Sequence, residues 1–276
     1  MSVAPYDPAP AEALLGPGDP SPVEVYNSDG GAAVLLICDH ASAVLPSSLG
    51  TLGLDAPDLE RHIAIDIGAD PLTRRLADAF DAPAVLAGYS RLVIDCNRET
   101  ADHTSIREIS EGTIVPGNRN LSAADRAVRI DAVFRPYHAA IAERRELFSA
   151  AGKVPAVIAI HTFTPTFHGI DRPWHVGILS NRDRRIADPL IAALSKDGAL
   201  TVGDNQPYSA LAFAGYTIEE HAMALGFPCA MIEIRQDLVS DDAGVARWAD
   251  ILQRTLKPIL QDETLYALRP RRSGQE

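Results

Sequence analysis

Cysteine is scarce in this chain of 276 residues, and none of it is paired. Cys38, Cys96 and Cys229 stand far apart, each in or beside an apolar run. Odd in number and widely separated, they lack the C-x-x-C pairs of a structural zinc site and suit reduced core thiols in a cytoplasmic protein. Positive charge is also short: 25 Lys and Arg oppose 37 Asp and Glu, a formal charge of -12. A nucleic-acid partner needs a basic face for the phosphates, so that class falls away. No run approaches the roughly 18 to 20 apolar residues of a membrane span. The first 22 residues are rich in Pro, Ala and Gly but contain no Lys or Arg. They lack the basic start and continuous apolar core of a secretory signal. The expectation is an extended arm over 1–22, followed by one domain over 23–276.

Familiar catalytic signatures are missing too. There is no G-x-S-x-G elbow, no G-x-x-x-x-G-K-[ST] loop, no G-x-G-x-x-G after a strand and no H-E-x-x-H. Any zinc chemistry must therefore be assembled from distant segments.

What is present is ordinary for a globular protein: 46% hydrophobic and 22% charged residues. Apolar runs recur with helical segments between them: "AAVLLIC", "APAVLAG", "SRLVIDC", "AVIAIHTF", "HVGILSN", "ALTVGD" and "CAMIEIR". The alternation predicts a three-layer α/β fold, a mixed, mostly parallel central sheet with helices on both faces. Asp70 and Pro71 read as the cap and first residue of a helix over about 71–80. Ser122 and Asp125 open an amphipathic helix running to Ala151, kinked at Pro136. Thr217 and Glu220 open a short helix closed by Gly226 and Pro228. Two segments, about 99–121 and 162–174, have no clear periodicity, and such loops often border sites.

Several buried runs end abruptly on chemistry. "LLIC" stops at Asp39 and His40, "RLVI" at Asp95, Asn97 and Arg98, and "VIAI" at His161. "CAMIEIRQD" holds Glu233 between two isoleucines and is followed by Arg235 and Asp237. In an open α/β sheet, ligands collect beyond the carboxyl ends of the strands, where these side chains would meet. Two distant histidines at such an edge suit a catalytic metal with three protein ligands. Asp66, in the apolar stretch "HIAIDIGAD" and just ahead of the helix starting near Asp70, is the expected third ligand, with His62 competing. On a central strand Glu233 would be desolvated and its pKa raised, fit to take a proton from water. Arg98 and Asn97 would clamp a substrate carboxylate, with Arg235 beside them.

Taken together, "ICDHAS", "HIAIDIGA", "SRLVIDCNR", "IVPGN", "PYH", "IHTFTP", "RPW", "DNQPYS" and "IEIRQD" resemble the N-formylglutamate amidohydrolase family from about Val34 to Pro258. The resemblance implies a phosphorylase/hydrolase-like fold akin to zinc carboxypeptidases. It also implies one zinc ion held by His40, an acid and His161, with Glu233 as general base. Two departures stand out. "AIHTF" replaces the family's Asp-x-His-Ser, and "AGYTIEEH" keeps Thr217 of a Gly-Gly-x-x-Thr-Arg stretch but not its arginine.

The expected activity is therefore zinc-assisted hydrolysis of a small acidic N-acyl amino acid, with N-formyl-L-glutamate first. Arg91 would serve either the carboxylate or the developing oxyanion. The alternatives are a zinc peptidase or cell-wall-type amidase, and a metal- or carboxylate-binding protein without turnover.

Overall fold

Four apolar runs, too hydrophobic to face water on either side, form the centre of the sheet. The computed structural model describes residues 14–181, 183–196, 198–209 and 215–269. Its strands are β1 (Val23–Tyr26), β2 (Val34–Cys38), β3 (Ala84–Ala87), the hairpin β4 (Ile109–Ser110) and β5 (Thr113–Ile114), β6 (Ala156–Phe163), the hairpin β7 (Thr166–Phe167) and β8 (Ile170–Asp171), β9 (Val176–Leu179), β10 (Val202–Asp204) and β11 (Cys229–Arg235). The main sheet has seven strands in the order β1-β3-β2-β6-β11-β9-β10. Neighbours among β3, β2, β6 and β11 pair parallel, while β1 and β9 run against them and β10 follows β9.

The helices are α1 (Ala56–Leu59), α2 (Ala69–Phe80), α3 (Ala123–Arg129), α4 (Arg135–Ala150), α5 (Ala187–Ser195), α6 (Tyr216–His221) and α7 (Asp242–Leu260). Side chains alternate across β2, so Leu36 and Cys38 join a core with α2, α5 and α7, while Leu35 and Ile37 join a second core with α4 and α6. Helices thus cover both faces, giving the mixed, mostly parallel α/β sheet that the alternating runs predict. No helix among the described residues is long and apolar enough to cross a membrane.

Of the arm expected over 1–22, residues 1–13 lie outside the described set. In the remainder Leu14 is buried in the second core, and Pro20 O accepts a hydrogen bond from Tyr89 Oη at 2.7 Å.

Four local expectations are corrected. "SRLVIDC" is a run of turns and not a strand. β3 ends at Ala87, and the backbone beyond it bonds to loops: Ser90 N to Val44 O at 2.8 Å and Asp95 N to Ser105 O at 2.7 Å. The long helix is divided, because a π-helical turn over Ile130–Phe134 stands between α3 and α4. Pro136 lies in the first turn of α4 and offers no N–H, which the wider turn accommodates. α2 begins at Ala69, capped by Gly68 and not by Asp70. Gly68 has φ 81°, and a Cβ there would sit 2.2 Å from Val239 O, so only glycine fits. α6 is capped by Gly215, with Thr217 inside it.

Candidate active site

β2 ends at Cys38, and the next two residues begin the site. Asp39 and His40 are buried, as are Asp66, Asp95, His161 and Glu233. Asp66 sits in the turn before α2, its N–H donating to His40 O at 3.1 Å, so backbone joins the two segments. His161 lies within β6 and not after it, because β6 extends to Phe163. β11 is central, flanked by β6 and β9, and Glu233 stands opposite His161 on one side and Gly177 on the other. Gly177 is required: a Cβ would lie 1.9 Å from Gln206 O, where the chain passes on its way to Tyr208.

The histidines are held in a matched pattern. His40 Nε2 faces Asp95 Oδ1 at 2.7 Å, and His161 Nε2 faces Asp39 Oδ2 at 3.0 Å. Their Nδ1 atoms both face Asp66 Oδ2, at 3.2 and 2.9 Å. Each ring therefore has an acceptor at both nitrogens. That is satisfied by two imidazolium ions, or by neutral rings that keep the Nε2 protons and give Nδ1 to a cation. Burial disfavours charge on His40, yet Asp95 and Asp66 overcome it and the net shift is upward. The same holds more strongly for His161 between Asp39 and Asp66. Burial would raise Asp66, but the two histidines hold its carboxyl well below the usual range.

Ligand-capable atoms of His40, Asp66 and His161 all lie within 4.8 Å of one another. A hard carboxylate with two imidazoles, each backed by a carboxylate, is a donor set that fits zinc. His62 approaches the other oxygen of Asp66, with Nδ1 3.4 Å from Oδ1. Burial lowers its pKa to about 4.

Glu233 differs from the aspartates. Its Oε2 is buried with no hydrogen-bond partner among the described residues, and burial raises its pKa to about 7. It lines a cavity of about 510 Å³ together with His40, Asp66, His161, Arg91, Asn97 and Arg98. The cavity thus gathers seven of the eight residues selected from sequence. Arg235 is not among its lining residues: it forms a two-pronged pair with Asp237 at 2.8 and 3.1 Å, which closes on a near neighbour in sequence instead of reaching the crevice. Arg91 is engaged by Asp66 Oδ1 at 3.2 Å and Asp95 Oδ2 at 2.9 Å. Asn97 Oδ1 accepts from Thr217 N at 3.1 Å, so its carboxamide also secures the start of α6.

Sequence reasoning gave no role to the supporting residues. Asp39 Oδ1 accepts from Tyr137 Oη at 2.8 Å and Thr217 Oγ1 at 2.6 Å. Tyr137 belongs to "PYH", so the motif itself was a signal. Arg172 is buried and stacks on Phe167 and Tyr208 at 4.6 and 4.9 Å, holding the loop 162–174 against the cavity that both aromatics line.

Beside the mixed α/β sheet, two buried histidines, an aspartate and a desolvated glutamate thus meet at one cavity. Residues 32–240 match the model of the N-formylglutamate amidohydrolase family, and the chain belongs to that family. A small amide is the class of substrate this implies. A gene product of Agrobacterium tumefaciens is 37% identical, with a TM-score of 0.87 over 90% of this chain and 98% of that one. An N-formylglutamate amidohydrolase from Ralstonia eutropha is 21% identical, with a TM-score of 0.65 over 87% and 97%, a likeness of fold. No curated protein sequence matches the chain significantly.

Proposed function

We propose that the enzyme is a zinc-dependent amidohydrolase that cleaves the amide of an N-acyl amino acid, N-formyl-L-glutamate being the first candidate. The observation that carries this reading is the convergence of His40 Nδ1, His161 Nδ1 and Asp66 Oδ2 within the cavity that Glu233 lines. His40, Asp66 and His161 would hold the ion. Bound there, zinc supplies Lewis-acid polarisation of the scissile carbonyl and lowers the pKa of a water.

The remaining work belongs to the chain. Glu233, whose carboxyl is raised to about 7 by burial, accepts a proton as the water oxygen bonds to the acyl carbon. It returns that proton to the nitrogen as the carbon–nitrogen bond breaks, so formate and the free amino acid leave. Arg98 and Asn97 orient the substrate carboxylate, and Arg91 holds Asp66 and Asp95 in their ionised form. Asp39 and Asp95 keep the Nε2 protons in place and so fix the tautomer that leaves Nδ1 available.

The test is elemental analysis of protein purified without chelator, followed by formate release from N-formyl-L-glutamate before and after chelation and zinc return. About one zinc per chain and activity that follows it are expected. Hydrolysis that is indifferent to chelation would remove the metal from the reading, and equal turnover of neutral amides would favour a peptide or cell-wall substrate.

A further inference from the structure

Two neighbouring residues of α4 reach toward the two histidines of the cavity by different routes. Tyr137 reaches His161 through Asp39. His138, beside it, turns to the backbone that follows Asp95. Its Nε2 donates to Cys96 O at 2.9 Å, and its Nδ1 lies 2.8 Å from Nε2 of His221, whose ring stacks on it with 10° between the planes. Helix α6 repeats the division: Thr217 reaches Asp39, and His221, four residues on and so on the same side, reaches His138.

The protons of this pair are fixed by what the nitrogens face. A carbonyl only accepts, so His138 carries its proton on Nε2 and offers Nδ1, and His221 donates to it from its own Nε2. His221 Nδ1 is left as a bare lone pair, buried with no hydrogen-bond partner among the described residues. Burial keeps both rings neutral: it lowers His138 and pushes His221 down to about 3, with Arg145 and His138 adding to the effect on His221 and Asp39 opposing it on both. An unpaired buried nitrogen costs stability, and two apolar rings would stack without that cost.

What the pair holds is the peptide between Cys96 and Asn97. The Thr217 hydroxyl also lies 3.2 Å from Cys96 O, but its one proton goes to Asp39 at 2.6 Å, so His138 supplies the donor. The N–H of the same peptide, on Asn97, donates at 3.0 Å to Asp95 Oδ1, the oxygen that faces His40 Nε2 at 2.7 Å. A peptide is planar, so holding its carbonyl also aims its N–H. A half-turn of the His138 ring would break both of its hydrogen bonds, and His221 therefore keeps it from turning.

We infer that His138, locked by His221, is a positioning residue: it fixes the Cys96–Asn97 peptide and, through it, the Asp95 carboxylate that orients His40. For metal affinity this inference rests on the zinc reading above; for the orientation of His40 it does not.

Two variants separate position from packing. His138→Phe keeps a ring against Phe134 and Tyr216, 4.1 and 5.1 Å away, but has no donor. His138→Gln keeps a donor at the reach of Nε2 but has no ring. Imidazole nitrogen–proton correlation spectra of the isotope-labelled full chain, treated with chelator, should show His138 and His221 of wild type both protonated on Nε2 at neutral pH. The His40 Nε2 proton should exchange with solvent roughly five- to tenfold faster in the Phe variant, and within about twofold of wild type in the Gln variant. Zinc affinity, measured by competition with a chromophoric chelator, should follow the same order, about tenfold weaker in Phe and recovered in Gln. A proton on His138 Nδ1, a Phe variant with unchanged His40 exchange and zinc affinity, or losses in both variants that track their thermal midpoints would each overturn the inference. Should the Phe variant fail to fold, His221→Phe serves: it leaves His138 without its lock, and unchanged exchange at His138 and His40 would overturn the assignment. A wild type that takes up no zinc rejects the metal reading, while the spectra, taken without metal, still decide the positioning.

Discussion

Glu233 and His161 are partners in register on adjacent parallel strands, β11 and β6. Side chains alternate along a strand, so both point to the same side of the sheet, and a slip of one residue would send Glu233 to the other. On that side Glu233 has an imidazole beside it, a glycine across from it and an oxygen with no hydrogen-bond partner among the described residues. Glu233→Gln preserves shape and removes only the proton shuttle. The expected result is unchanged zinc content, an unfolding midpoint no lower than wild type, and kcat reduced by roughly 10²- to 10⁴-fold. Turnover within threefold of wild type would make Glu233 structural.

The same burial predicts a pH dependence for metal-free protein. Glu233 has a folded pKa of about 7, above its ordinary 4.5, so the stability it contributes is present below about pH 4.5 and is lost as pH rises through about 7. His40 and His161 are raised as well, and their contribution is likewise present below 6.5 and lost above the folded values. Both effects have one sign, while His62, His138 and His221 are lowered and add stability only as pH rises toward about 6.5, so chelated wild type should weaken between about pH 6.5 and about pH 8, with Glu233→Gln weakening less. Zinc favours the carboxylate and neutral imidazoles, and loading the site should flatten the slope. Urea titrations across the range, with and without zinc, measure it. A chelated protein that gains stability toward pH 8 would contradict the assignment.

Much of this was legible in the sequence, and the exceptions have physical causes. The central strands were plain because runs buried on both faces are continuously apolar, as in "VLLIC" and "CAMIEIR". "SRLVIDC" carries the same signal but packs as turns, and composition reports burial without saying where backbone hydrogen bonds go. His40, Asp66, His161 and Glu233 could be selected because polar residues inside apolar runs need a reason. Arg235 satisfied the same rule, yet its partner Asp237 is two residues away, a pairing that spacing alone does not distinguish from a site. Asp39 and Asp95 were visible as strand-end acids, but their bonds to the outer nitrogens of the histidines join residues 122 and 55 positions apart.

The choice between Asp66 and His62 also yields a prediction. Asp66 Oδ2 faces both histidine Nδ1 atoms, whereas His62 faces the other oxygen and is neutral well below pH 7 with a pKa of about 4. Asp66→Ala, like His40→Ala and His161→Ala, should leave little bound zinc, since each removes one of three protein ligands. His62→Ala should keep close to one zinc per chain. Elemental analysis after gel filtration decides, and the reverse pattern would transfer the third ligand to His62.

The support behind His161 can be tested through a residue that touches neither metal nor substrate. Thr217 Oγ1 donates to Asp39 Oδ1 at 2.6 Å, Tyr137 Oη donates to the same oxygen, and Asp39 Oδ2 holds His161 Nε2. Thr217 is fully buried, so Thr217→Val nearly keeps its volume while removing one of the two donors to Oδ1 of a buried carboxylate. Loss of that hydrogen bond should cost on the order of 1 to 3 kcal/mol in stability. An Asp39 less firmly held lets the His161 ring turn, and second-layer changes of this kind typically weaken metal binding by roughly ten- to a hundredfold. Thr217→Ser restores the hydroxyl without the methyl and should recover most of the zinc affinity while keeping a packing defect. Competition with a chromophoric chelator gives the affinity and thermal melts give the stability. If the Val variant binds zinc as wild type does and only melts earlier, Thr217 serves the fold alone and the chain of contact from α6 to His161 carries no information to the metal.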